Sequence, residues 1–263
     1  MLLAIDIGNS SIRTGVFSGN LLLDRMEIPA FPKSDVGHYR AKLEKFLADK
    51  EGNTFFEGAI ISSVVPGLTD TLASSAREVI AREPLILTSS LDTGLTFDVE
   101  EPEEIGTDRI ANAVAARELF GSPAAAVDFG TATTITAVKD RKFLGGAIMA
   151  GLRLMGETLH RGTARLPSVD TVLYQEASEF RVRVLGKSTT ASMISGIIYG
   201  SAGAVERILE GMEAEEKCTF RIVLTGGHSG MMARFIKRQC YTDRDLTLTG
   251  LRLIYERNCR CTS

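Results

Sequence analysis

Two stretches of this chain, 122 positions apart, carry the same pattern. Residues 2–17 read Leu-Leu-Ala-Ile-Asp-Ile-Gly-Asn-Ser-Ser-Ile-Arg-Thr-Gly-Val-Phe, two apolar strand-like runs around a small polar turn. Residues 126–138 read Ala-Val-Asp-Phe-Gly-Thr-Ala-Thr-Thr-Ile-Thr-Ala-Val, so that Ala126, Asp128, Gly130 and Val138 fall on Ala4, Asp6, Gly8 and Val16. An offset close to half of 263 residues, with matching strands on both sides of the turn, points to a duplicated domain.

The rest of the pattern agrees. Hydrophobic periodicity predicts strands near 2–8, 11–18 and 20–28, a helix over 37–49, a strand over 57–63, a helix over 67–81, a strand over 85–88 and a helix over 106–120. The theme then repeats, with strands near 124–129, 132–138 and 142–149 and helices near 151–163 and 190–212. A strand at 220–225, a helix from 229 and a last helix near 248–257 complete the chain. The expected class is α/β, with two halves of mixed sheet flanking a cleft. Gly121-Ser122-Pro123 is the expected boundary, giving halves 1–122 and 123–263.

Composition narrows the function. A net charge of -3 with dispersed Lys and Arg gives no footprint for nucleic acid. Asp6 interrupts the first apolar run, so no signal peptide is expected, and no run approaches the roughly 20 residues of a membrane span. The expected location is the cytoplasm. Cys218, Cys240, Cys259 and Cys261 lack the spacing of a zinc site and read as thiols of a reducing compartment.

The turns carry the chemistry. Gly8 allows close approach of backbone to a ligand, Asn9, Ser10 and Ser11 add donors, and Arg13 offers a cation. Asp6 would repel a bare triphosphate, so its carboxylate implies a cation such as Mg²⁺, which keeps most of its waters. Asp-x-Gly alone is equally an ordinary hairpin turn. The second copy, Asp128-x-Gly130-Thr131, supplies a second carboxylate and hydroxyl, and two such hairpins can grip phosphates from both sides. A third piece, Val223-Leu224-Thr225-Gly226-Gly227-His228-Ser229, ends an apolar strand in paired glycines, which alone read as a tight strand-to-helix turn and which would also let a ring or phosphate lie against backbone.

These pieces, in this order, resemble the acetate and sugar kinase, Hsp70 and actin superfamily. Further motifs narrow the resemblance to the type III pantothenate kinases. They are Gly106-Thr107-Asp108-Arg109, Gly145-Gly146-Ala147-Ile148-Met149-Ala150-Gly151-Leu152, the run from Leu159 to Pro167, and Gly186-Lys187-Ser188-Thr189 with Ser195-Gly196 beyond it. The resemblance implies two ribonuclease-H-like halves, an actin-like ATPase fold, and phosphorylation of pantothenate by ATP at the start of coenzyme A biosynthesis. It assigns Asp6, Ile7, Gly8, Asn9, Ser10, Ser11, Ile12 and Arg13, with Thr131, to ATP, and places Asp6 near Mg²⁺. It gives Asp128 to a monovalent cation, K⁺ or NH₄⁺. It gives Gly106, Thr107, Asp108, Arg109 and the Val99 position to substrate, with Asp108 as general base, and Thr189 to substrate from the neighbouring subunit of a homodimer.

The residue types suit that assignment. A carboxylate can take the proton of an attacking hydroxyl, and an adjacent Arg can hold a substrate carboxylate in a planar fork. Three positions depart from the family pattern. Val99 stands where a tyrosine is usual, Glu101 where asparagine is common, and Ala150 where proline is. Val99 removes an aromatic wall and a hydroxyl from the expected substrate pocket. Two other readings share the fold: a kinase for another small alcohol, and a non-catalytic accessory factor for gene expression. The full set Asp6, Asp108, Arg109, Asp128 and Thr131 favours an enzyme.

Overall fold

The computed structural model describes residues 1–48, 55–169 and 182–259. Strand β1, Leu2–Ile7, is buried along its whole length. A strand buried on both faces is a central strand of its sheet. It pairs antiparallel with β2, Ser11–Ser18, which pairs antiparallel with β3, Leu21–Pro29. On its other side β1 runs parallel to β4, Gly58–Ser63, and β5, Leu85–Ile86, completes the order β3-β2-β1-β4-β5.

Alternation along β1 decides what covers each face. Leu3, Ile5 and Ile7 join one buried cluster with residues of α1, Val36–Ala48, and α2, Pro66–Ile80. Leu2 and Ala4 join another with Ile110, Ala111 and Val114 of α3, Thr107–Phe120, and Leu248, Leu251 and Ile254 of the last helix, Leu246–Cys259. The last helix therefore packs in the first of two compact units, which comprises residues 1–115, 141–143 and 246–263. Gly250 makes this possible, because a Cβ there would overlap the backbone of Ala111.

The second unit comprises residues 116–140 and 144–245. Its central strand β7, Ala124–Phe129, is again wholly buried. It pairs antiparallel with β8, Ala132–Lys139, next to β9, Lys142–Ala150, and parallel with β10, Arg221–Thr225, which pairs with β11, Cys240–Thr242. Ala125, Val127 and Phe129 pack on Leu152 of α4, Leu152–Arg161, and on Met193, Ile194, Ile197 and Ile198 of α5, Thr189–Glu216.

The expected strands and helices form, with a few adjustments. The helix expected from 229 is a single turn, α6, Ser229–Met232, so that the last helix is α7. The long helix α5 runs four residues past its expected end, to Glu216. Two short strands, β6 (Thr96–Phe97) and β11, and a 3-10 turn at Pro102–Glu104 had no counterpart among the expected elements. Segments of two or three residues are too short to show a period. Residue Cys261 lies outside the described residues.

Candidate active site

In the first unit the site is built around Asp6. It shares the parity of Leu2 and Ala4 and so lies on the face that α3 and α7 cover, 2% exposed. The β1–β2 register sets Arg13 opposite it, and Arg13 Nη2 donates to Asp6 Oδ2 at 2.6 Å. The β1–β4 register sets Ser62 on its other side. Ser62 Oγ lies 2.9 Å from Thr107 Oγ1, the Ser63 N–H donates to Thr107 Oγ1 at 3.0 Å, and the Thr107 hydroxyl donates to the Ser63 carbonyl at 3.2 Å. With its one proton on that carbonyl, the Thr107 oxygen accepts from both serines. The first residue of α3 is thereby pinned to the end of β4.

Asp108 follows directly. Its Oδ1 accepts the Arg109 N–H at 2.8 Å and folds over Gly106, where a Cβ would come within 2.5 Å of it. The amides of a helix start favour both this carboxylate and an incoming anion. The Arg109 guanidinium lies 5.7 Å from the centroid of the Phe143 ring, which is tilted against Phe97 at 5.7 Å. Burial lowers the Arg109 pKa from its ordinary value, and the Asp108 charge opposes that shift. Val99 sits two residues beyond Phe97, in the bend after β6.

The first turn itself is short and braced. The Gly8 N–H donates to Ser11 O at 2.9 Å, and Ser10 O accepts from Ala30 at 3.0 Å. Asn9 and Ser10 are exposed, whereas the side chains of Ile7 and Ile12 are fully inside the α1–α2 core. Only the main chain of those two isoleucines can meet a ligand.

In the second unit Asp128 holds the position equivalent to Asp6 and is 8% exposed. Its register partners are Thr134 on β8 and Thr225 on β10. Gly226 follows Thr225 with φ +86, and a Cβ there would overlap Asp128 Oδ1 and lie 2.8 Å from Phe129 backbone. Thr225 Oγ1 is buried with no hydrogen-bond partner among the described residues. A buried carboxylate beside an orphaned hydroxyl is an oxygen-rich corner of the kind a hard cation takes. Of the paired glycines, Gly226 is filled by Asp128 and Phe129, while Gly227 has open space around it. Next in chain, burial and then the nearby Arg244 charge lower the pKa of His228 from its ordinary value.

Thr131 is exposed at the second turn, and its carbonyl accepts from the Gly151 N–H at 3.1 Å. Gly151 is the N-cap of α4, so the free amides of that helix start lie beside Thr131. Thr189, also exposed, is the first residue of α5 behind Ser188, which accepts from the Ala191 N–H at 3.1 Å. The structure thus joins Asp6, Arg13, Thr107 and Asp108 within one unit, and gathers Asp128, Gly226 and Gly227 in the other. Ser62, Phe143, Asn112 and Thr247 were not among the expected residues. Ser62-Ser63 did carry a signal: two hydroxyls where a buried parallel strand ends.

Two mixed sheets, each with a central Asp-ended strand, define an α/β protein with the fold of the actin-like ATPases and sugar kinases. One solved relative in fold, described as a Baf family transcriptional activator from Campylobacter jejuni, superposes with a TM-score of 0.62 at 18% identity, covering 98% of this chain and 99% of that one. A family model described as type III pantothenate kinase matches residues 2–211. The chain is 38% identical over 261 residues to a type III pantothenate kinase of Moorella thermoacetica, spanning 98% of this chain and 100% of that protein. It is 39% identical over 261 residues to another from Brevibacillus brevis, spanning 98% and 99%. The chain belongs to the type III pantothenate kinase family.

Proposed function

We propose that this protein transfers the γ-phosphoryl group of ATP to the primary hydroxyl of pantothenate, giving 4′-phosphopantothenate and ADP at the entry to coenzyme A synthesis. Beyond family membership, one observation supports this reading: the start of α3, with Asp108 and Arg109, is tied through Thr107 and Ser62 to the strand that carries Asp6.

In the proposed reaction Asp108 accepts the hydroxyl proton as the oxygen bonds to the γ-phosphorus and the bond to ADP breaks. Arg109 holds the substrate carboxylate, its guanidinium backed by Phe143. The loop from Asp6 to Arg13 and Thr131 hold the phosphates, Ile7 and Ile12 through main chain only. A divalent metal accompanies ATP in this chemistry and neutralises charge between the phosphates. Mg²⁺ suits Asp6, reached through water because Oδ2 is engaged by Arg13. K⁺ or NH₄⁺ suits the corner at Asp128, where Thr225 Oγ1 lacks a partner among the described residues.

Four further parts belong to the same proposal. The duplicated sequence halves are 1–122 and 123–263. The chain acts as a homodimer, with Thr189 reaching the partner's substrate. It works in the cytoplasm. No helix among the described residues is long and apolar enough to cross a membrane.

The test is ADP release from ATP and Mg²⁺, with and without pantothenate, in potassium and in sodium buffer. Release that needs both pantothenate and potassium is expected. Release that ignores pantothenate sinks the substrate assignment. A second reading, favoured by Val99 two residues beyond Phe97, is a kinase for another small alcohol, tested on a panel of hydroxylated acids and sugars. A member of that panel would then restore activity.

A further inference from the structure

Arg13 Nη2 also lies 3.4 Å from Thr247 Oγ1, on α7. The Thr247 hydroxyl donates in turn to Asn112 Oδ1 at 2.9 Å, on α3. Both residues are deeply buried, Thr247 at 0% and Asn112 at 1% exposed. A threonine hydroxyl has a single proton. With that proton spent on the Asn112 carbonyl oxygen, Thr247 can only accept from the guanidinium. The direction of the chain is fixed by Asn112, and the guanidinium is held from two sides, by Asp6 at 2.6 Å and by Thr247. About a quarter of the Arg13 side chain (23%) remains exposed.

Nothing in packing alone asks for this. A valine at 247 would fill the same volume on a helix face that it shares with Gly250, Leu251 and Ile254. Asn112 lies one helical turn after Asp108 on α3. The helix that presents the proposed base therefore also sets the direction of the bond that steadies Arg13.

We infer that Thr247 and Asn112 are positioning residues that fix the Arg13 guanidinium for the triphosphate. This rests on the reading that Arg13 binds ATP. Their role is exerted through Arg13, not through pantothenate.

The test is a double-mutant cycle of Thr247→Val and Arg13→Met, with KM for ATP, KM for pantothenate and melting temperature measured on each purified protein. Thr247→Val is expected to raise KM for ATP about tenfold, roughly 1.4 kcal/mol, and to leave KM for pantothenate within about twofold. Thr247→Ser, which keeps the hydroxyl, is expected to restore KM for ATP. In the Arg13→Met background, Thr247→Val is expected to add nothing. A lowered melting temperature with unchanged KM for ATP overturns the proposal, as does an equal rise in both backgrounds. Should Arg13→Met itself leave KM for ATP unchanged, the ATP role of Arg13 fails and the proposal falls with it. Should Arg13→Met raise KM while Thr247→Val does not, only the positioning role fails. If Thr247→Val does not fold, Thr247→Ala is read by the same criteria.

Discussion

The two hairpins of this protein share a strand plan and differ in how each handles its buried carboxylate. β1 and β7 are both wholly buried, and β2 and β8 bury nearly the same positions. Opposite Asp6, however, stands Arg13, and opposite Asp128 stands Thr134. In the first hairpin the charge is met by a fixed cation at 2.6 Å, braced from α7. In the second, the carboxylate sits against glycine backbone, and the buried Thr225 hydroxyl on the neighbouring strand has no hydrogen-bond partner among the described residues. A buried ion pair is costly to break from one side, because the remaining charge is left uncompensated. The same strand plan thus carries an ion pair at 2.6 Å in one unit and a carboxylate packed against glycine backbone in the other.

That contrast can be broken most sharply by neutralising one carboxylate in each unit. Asp108→Asn is expected to cut turnover in potassium by about 10²–10⁴-fold, with an unchanged melting temperature. Asp128→Asn is expected to bring turnover in potassium down to the level seen in sodium, so that the difference between the two buffers disappears. Steady-state assays in the two salts decide it, and a potassium-dependent Asp128→Asn protein would remove the cation role from that residue.

A smaller effect separates the two turns by their glycines. Gly226 has φ +86 and no room for a Cβ, so Gly226→Ala is expected to cost about 1–3 kcal/mol. At Gly8 the nearest atom to a Cβ would be Ser11 O at 3.2 Å, and φ is not in the left-handed region, so Gly8→Ala is expected to cost less than half as much. Denaturant unfolding of the two variants measures both. Equal losses would mean that the two turns are packed alike.

The smallest effect is confined to the first unit. Burial, and after it a hydrogen bond and charge from Cys259, push the Tyr255 phenol from 10.0 up to about 12, and its hydroxyl donates to Glu57 O at 3.0 Å. A raised folded pKa means stability that is fully present below pH 10 and lost as pH rises towards about 12. Melting temperature is therefore expected to fall over that window, and to fall less steeply in Tyr255→Phe. Parallel slopes for the two proteins would show that the phenol contributes nothing.

Much of this was legible in the sequence because it is local. The run Leu2–Ile7 reads as a strand, and the 122-residue repeat points to a second strand of the same kind at Ala124–Phe129. Asp6 and Asp128 stood out because the same Asp-x-Gly turn occurs twice, whereas Asp108 and Arg109 read alone as an ordinary helix start and stood out only through the motif that resembles the family. Phe143, Asn112 and Thr247 did not stand out. Each is an ordinary residue in an ordinary element, and its meaning comes from a neighbour that is remote in sequence. Thr247 Oγ1 meets Arg13 across 234 positions and Asn112 across 135.

The sequence by itself determined the class of fold, the duplication and the longer strands and helices along the chain. Periodicity and turn chemistry are written one residue after the next, and burial follows from them. The tertiary structure alone decided that α7 returns to the first unit, that Thr107 is pinned by Ser62 and Ser63, and that the hydroxyl of Thr247 points its lone pair at Arg13. Those depend on register and on close helix approach at Gly250. Hydrogen-bond direction and steric fit are properties of atoms brought together by folding, and no local pattern encodes them.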